Sequence, residues 1–180
     1  MCQYCGCQQP AAIDELTREH DAVVALIRDV TEQVAAGRIA DVAATCRRIS
    51  DLLGPHTVVE EEGLFPELES EFPDQIAALT REHRQVEHVL GEAASGVPAD
   101  QSWPQRLQEV LLVLRQHILK EQDGVFPAAV ISLGADQRER VDAARASASS
   151  TPHPPRSSQE SQHSNSRHDA GEELESRSSC

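Results

Sequence analysis

The chain has 180 residues, with 30 acidic side chains against 16 lysines and arginines and a formal net charge of -14. Only 3% of the residues are aromatic, so the core must be built from Leu, Val, Ile and Ala, which favours helices over a β-sandwich. The acidity argues against a nucleic-acid binder, which needs a basic face to replace counterions, and no apolar run approaches the roughly 18–20 residues of a membrane helix.

Residues 1–10 (MCQYCGCQQP) are a short Cys-rich segment ending in Pro. They lack the charged-then-apolar layout of a secretory signal, so a cytoplasmic protein is expected. In that compartment the five cysteines (Cys2, Cys5, Cys7, Cys46 and Cys180) are poor evidence for disulfides. Cys2, Cys5 and Cys7 form a CxxCxC cluster that suits a soft metal or a redox switch. Three sulfurs do not complete a tetrahedral zinc or iron–sulfur site, so either a fourth ligand comes from elsewhere or the cluster is a flexible, oxidisable terminus.

Residues 11–145 carry nearly all the aliphatic side chains and read as four helices. In the first, Ile13, Leu16, His20, Val23, Ile27, Val30 and Val34 step by three and four. The same steps give Ile39, Val42, Cys46, Ile49, Leu53, His56 and Glu60 in the second, and Ile76, Leu79, His83, Val86 and Leu90 in the third. The fourth gives Leu107, Val110, Leu114, His117 and Glu121. Such stepping puts each set on one stripe facing a bundle core, and the whole predicts an all-α, up-down-up-down four-helix bundle. Gly37 separates the first pair, Phe65-Pro66 and Phe72-Pro73 bracket the middle turn, Gly96 to Pro104 separates the last pair, and Phe126-Pro127 closes the fourth. Pro55 is expected to kink the second helix just before His56. A short fifth helix is expected from about Ala135 to Arg145. Residues 146–180 are Ser-, His- and charge-rich, with His153, His163 and His168 in a loose tract, and are expected to be disordered.

An internal repeat supports this division. Leu16-Thr17-Arg18-Glu19-His20 recurs as Leu79-Thr80-Arg81-Glu82-His83, offset by 63 residues. His56-xxx-Glu60-xx-Gly63-Leu64-Phe65-Pro66 recurs as His117-xxx-Glu121-xx-Gly124-Val125-Phe126-Pro127, offset by 61. Each half is one helical hairpin, and two copies are too few for a solenoid.

The stripes contain a contradiction. His20, His56, Glu60, His83, His117 and Glu121 occupy seam positions that should be apolar, and a bare charge in a helical core is costly unless paired or metal-bound. At about 1.5 Å rise per residue, all six fall roughly 6–14 Å from the same end of the bundle. Four imidazoles and two carboxylates in one layer exceed the four ligands of a structural zinc. They suit two metals of the Fe, Mn or Zn type, with both glutamates as bridges and two histidines on each metal. Glu19 and Glu82 sit off the stripe and read more readily as solvated than as partners of the histidines; Glu61 and Glu62 also read as solvated, with Glu61 the alternative carboxylate that could swing in.

This pattern resembles the hemerythrin-like proteins, the HHE cation-binding domain family, in ligand order, spacing, repeat and the Phe-Pro after each HxxxE. The resemblance covers residues 11 to about 130. It implies a non-haem di-iron site with oxo or hydroxo and carboxylate bridges that binds or reacts with dioxygen, hydrogen peroxide or nitric oxide. In the oxygen carriers of that family the third helix bears two histidines at i,i+4. Here the second of these positions is Glu87, a candidate seventh ligand, while His88 is rotated roughly 100° onward toward the surface. Carrier, sensor or storage module, and peroxide-decomposing enzyme with catalase-like reactivity all remain open, as does coupling of the site to Cys2, Cys5 and Cys7. A metal-free interaction bundle is the competing reading.

Overall fold

The computed structural model describes residues 11–150, which are helical with short turns and contain no strand among the described residues. α1 (Ala11–Ala35) turns at Gly37, whose φ of 68° suits a residue without Cβ, into α2 (Ile39–Val59). A π-helical turn (Glu60–Leu64) and α3 (Phe65–Leu68) continue α2. α4 (Pro73–Gly91) and α5 (Trp103–Lys120) follow, and a second π-turn (Glu121–Val125) runs on into α6 (Phe126–Ser132). α7 (Ala135–Ser150) completes the described chain. α1 packs on α2, α2 on α4, α4 on α5 and α5 back on α1, a closed ring. No helix among the described residues is long and apolar enough to cross a membrane.

Three boundaries differ from the sequence reading. Phe65-Pro66 does not open the middle turn and Phe126-Pro127 does not close the fourth helix; the chain stays helical through both. The physical reason is the π-turn before each. A proline ring in α register would strike the carbonyl four residues back. Here the Phe65 amide donates to the Glu60 carbonyl and the Phe126 amide to the Glu121 carbonyl, five residues back, which widens the turn and admits the ring. Pro55 lies inside α2, as expected, and the helix continues to Val59. α7 begins as expected but extends to Ser150, because Ala148 on its last turn is buried against the bundle. The rest of the tail and residues 1–10, including Cys2, Cys5 and Cys7, lie outside the described residues.

Nearly every seam residue is buried; Val34 and Ile39, beside the Gly37 turn of the first hairpin, are only partly so. The apolar interior falls into two clusters. One gathers Val23, Ile27, Cys46, Ile49, Leu90, Trp103 and Leu114. The other gathers Ile13, Leu16, Leu64, Phe65, Leu79 and Phe126. The polar seam residues lie in sequence between these sets on every long helix, so the polar layer divides the core. Burial pushes the Cys46 thiol up to about 12, which leaves it inert as a nucleophile.

α7 lies across α1, α2 and the first π-turn. Arg140 forks onto the Glu67 carboxylate at 2.6 and 2.8 Å, and Val141 is fully buried. Gly63 is where this helix touches the turn: a Cβ there would stand 2.7 Å from the Ala144 Cβ. Its repeat partner Gly124 would meet nothing among the described residues. Gly63→Ala should therefore destabilise the protein by about 1–3 kcal/mol, whereas Gly124→Ala should be neutral or slightly stabilising. Parallel urea titrations check the contrast, and equal effects would count against this packing.

Candidate metal centre

Each long helix delivers one histidine to the layer. His20 comes from α1, His56 from the last turn of α2, His83 from α4 and His117 from the last turn of α5. Glu60 and Glu121 open the two π-turns, one helical turn beyond His56 and His117. All six are buried, both glutamates completely.

The four imidazoles point Nε2 at the two carboxylates. Glu60 stands between His56 Nε2 at 3.1 Å and His83 Nε2 at 3.3 Å, one oxygen toward each. Glu121 stands in the same way between His117 Nε2 at 3.1 Å and His20 Nε2 at 3.2 Å. Ligand atoms of His20, His56, Glu60 and Glu121 lie within 4.8 Å of one another, and so do those of Glu60, His83, His117 and Glu121. Both glutamates belong to both groups. All four of their oxygens, and Nε2 of His20 and His83, are close to neighbours but not aligned for a hydrogen bond with any of the described residues. Two buried carboxylates whose oxygens have no aligned hydrogen bond are costly, and a cation between them and the imidazoles removes that cost. The donor set fits a metal.

Three of the histidines are held from behind. His56 Nδ1 donates to Glu19 at 2.9 Å, His83 Nδ1 to Glu61 at 2.9 Å and His117 Nδ1 to Glu82 at 3.0 Å. An ionised carboxylate can only accept, so each bond places a proton on Nδ1 and turns the Nε2 lone pair inward. Glu19, Glu82 and Glu61 are thus not simply solvated, as their place off the stripe suggests, while Glu62 is exposed. Arg145 in turn contacts Glu19, Arg84 contacts Glu61, and Lys120 contacts Glu82. Burial raises these three carboxyls, yet the bonds from histidine and cation outweigh it and hold each below its ordinary value. His20 lacks such an acceptor among the described residues: its Nδ1 is buried and unpartnered. The repeat places Gln122 where the other half has Glu61. The repeated phenylalanines complete the walls. Phe126 stacks on His20 at 5.4 Å between ring centroids and Phe65 on His83 at 5.8 Å.

Without metal, these contacts change the titration of the layer. Burial drives His56 and His83 down, but Glu60 together with Glu19 or Glu61 outweighs it and raises them to about 10 and about 9. Glu60 is held well below the carboxylate range, despite burial, by the same histidines. Both histidine values exceed the ordinary 6.5, so the stability they contribute is complete below 6.5 and lost as pH rises through 9 and 10. The chelated protein should therefore show a falling Tm between about pH 7 and pH 10. Circular-dichroism melts check this, and a flat profile would contradict protonated histidines. Metal replaces those protons, so loading should release them.

A groove lined by α2, α4 and α7 reaches all four histidines past Leu53, Thr57, Val86 and Leu90. Glu87 also borders it but is not brought into the ligand groups; its carboxylate pairs with Arg84 at 3.1 Å. His88 is exposed, 4.0 Å from Glu92.

The profile of the hemerythrin HHE cation-binding domain matches residues 11–129. This chain belongs to the hemerythrin HHE family. No curated protein and no solved structure matches it. As a hemerythrin-type domain it binds metal cations, and the buried histidine–glutamate layer is the place among the described residues suited to hold them. The match ends before α7, the helix that packs on the first π-turn. The π-turns and the outer carboxylates escape reasoning from the seam alone. Their available signals are the proline six residues after each HxxxE glutamate and the repeated Glu-His pair.

Proposed function

We propose that this chain is a non-haem di-iron protein of the hemerythrin type, an up-down-up-down four-helix bundle that handles or senses dioxygen, hydrogen peroxide or nitric oxide. The observation that carries the reading is the position of Glu60 and Glu121, each presenting one oxygen to either histidine pair. His20 and His56 would hold one metal, His83 and His117 the other, and both glutamates would be shared. Imidazole with carboxylate suits iron, and also manganese or zinc. An iron pair held there, with an oxo or hydroxo bridge, would supply redox chemistry toward small oxygen or nitrogen ligands. The chain's own residues do the rest. Glu19, Glu61 and Glu82 fix three imidazoles, Phe65 and Phe126 wall the layer against water, and the groove admits the ligand.

The test is metal content and absorption of the purified protein, first in air and then with peroxide or nitric oxide. About two irons per chain, with near-ultraviolet charge-transfer bands that respond to the added ligand, are expected. Stoichiometric zinc without such bands would overturn the iron reading. The groove favours a second reading, a peroxide-decomposing enzyme. It requires peroxide turnover by the iron-loaded protein that is lost in His56→Ala.

A further inference from the structure

α7 sends one charged side chain, Arg145, to a carboxylate behind the metal layer. Arg145 is 11% exposed, donates from Nη2 to Glu19 at 2.8 Å and sets Nε 3.0 Å from Glu15. Glu19 uses the same oxygen, Oε2, to accept from His56 Nδ1. A line of contacts therefore runs from a helix outside the family match to one imidazole of the first histidine pair. The corresponding cations on the other pair are set differently. Arg84 and Lys120 are about half exposed and belong to α4 and α5 themselves. Arg145 is much less exposed than Arg84 or Lys120, so the cation of its half-buried pair with Glu19 is screened less by solvent. The two histidine pairs also differ in anchoring. His83 and His117 each have a carboxylate behind them, whereas His20 has none among the described residues. His56 is thus the one imidazole of its pair with a carboxylate behind it.

We propose that Arg145 is a positioning residue that, through Glu19, sets how tightly the His20–His56 position holds metal, leaving the His83–His117 position unaffected. α7 thereby makes two sequence-related metal positions unequal. The proposal rests on the two-metal reading above.

The test titrates cobalt(II) into the chelated full-length chain under anaerobic conditions. It follows cobalt absorption and then the rate at which a competing chelator removes each ion. The unsubstituted protein should take up two ions. Arg145→Ala should bind one of them roughly tenfold more weakly, the scale of a lost outer partner to a ligating histidine, and the other as before. Arg145→Lys keeps the charge and should recover part of the loss. Glu19→Gln, which retains an acceptor for His56 but loses the ion pair, should reproduce Arg145→Ala if the alanine variant folds poorly. Arg140→Ala removes an exposed contact of α7 with Glu67 while buried Val141 and Ala148 keep the helix docked, and should leave both ions unchanged. Equal weakening of both ions, or the same effect from Arg140→Ala, would overturn the proposal while leaving the two-metal reading intact. Failure of the unsubstituted protein to bind a second ion would overturn both.

Discussion

Stripping metal from the purified chain should lower its midpoint of thermal unfolding by roughly 10 °C or more. A ligand that binds only the folded state adds about 4 kcal/mol at a thousandfold excess over Kd, and a domain of this size shifts by a few degrees per kcal/mol. The direction follows from the layer itself. Metal replaces a core cross-section in which all four oxygens of Glu60 and Glu121 lack aligned donors. It also links α1, α2, α4 and α5, the four helices of the ring, at one level. Calorimetry before and after exhaustive chelation, followed by re-addition of iron(II) without oxygen, checks this. An unchanged midpoint would mean that the six polar residues satisfy one another and that the layer is structural.

Glu60→Ala should abolish tight binding of both metals, whereas His20→Ala should weaken chiefly one. Glu60 faces His56 and His83 and so belongs to both ligand groups, while His20 belongs to one. Removing the carboxylate also leaves two buried imidazoles without their counter-charge, a loss on the order of 3–5 kcal/mol in the metal-free state. Metal analysis after size exclusion, paired with chelator competition, separates the outcomes. Two metals retained at unchanged affinity in Glu60→Ala would remove the shared-carboxylate arrangement. The same experiment on Glu121→Ala should give the same result, since Glu121 lies between His117 and His20 in the same way.

The helical class and the six-residue layer were legible in the sequence because both are periodic. A buried stripe stepping by three and four residues exposes any polar intruder, and His20, His56, Glu60, His83, His117 and Glu121 stand out as soon as the stripes are drawn. The doubling of LTREH and HxxxE adds register, since equivalent residues in two similar hairpins fall at equivalent depths. Helix ends were less legible. Proline following phenylalanine signals a stop by local rules, but at Phe65-Pro66 and Phe126-Pro127 a single five-residue hydrogen bond lets the helix absorb the ring.

By itself, then, the sequence determined the helical class and the identity and depth of the six layer residues, since local periodicity carries both. The tertiary structure alone decided what stands behind that layer. Glu19 reaches His56 across 37 residues, Glu82 reaches His117 across 35, and Arg145 reaches Glu19 across 126. No periodicity encodes such contacts. They arise where helix faces meet, and a glutamate one position off the stripe looks solvated until the neighbouring helix places an imidazole against it.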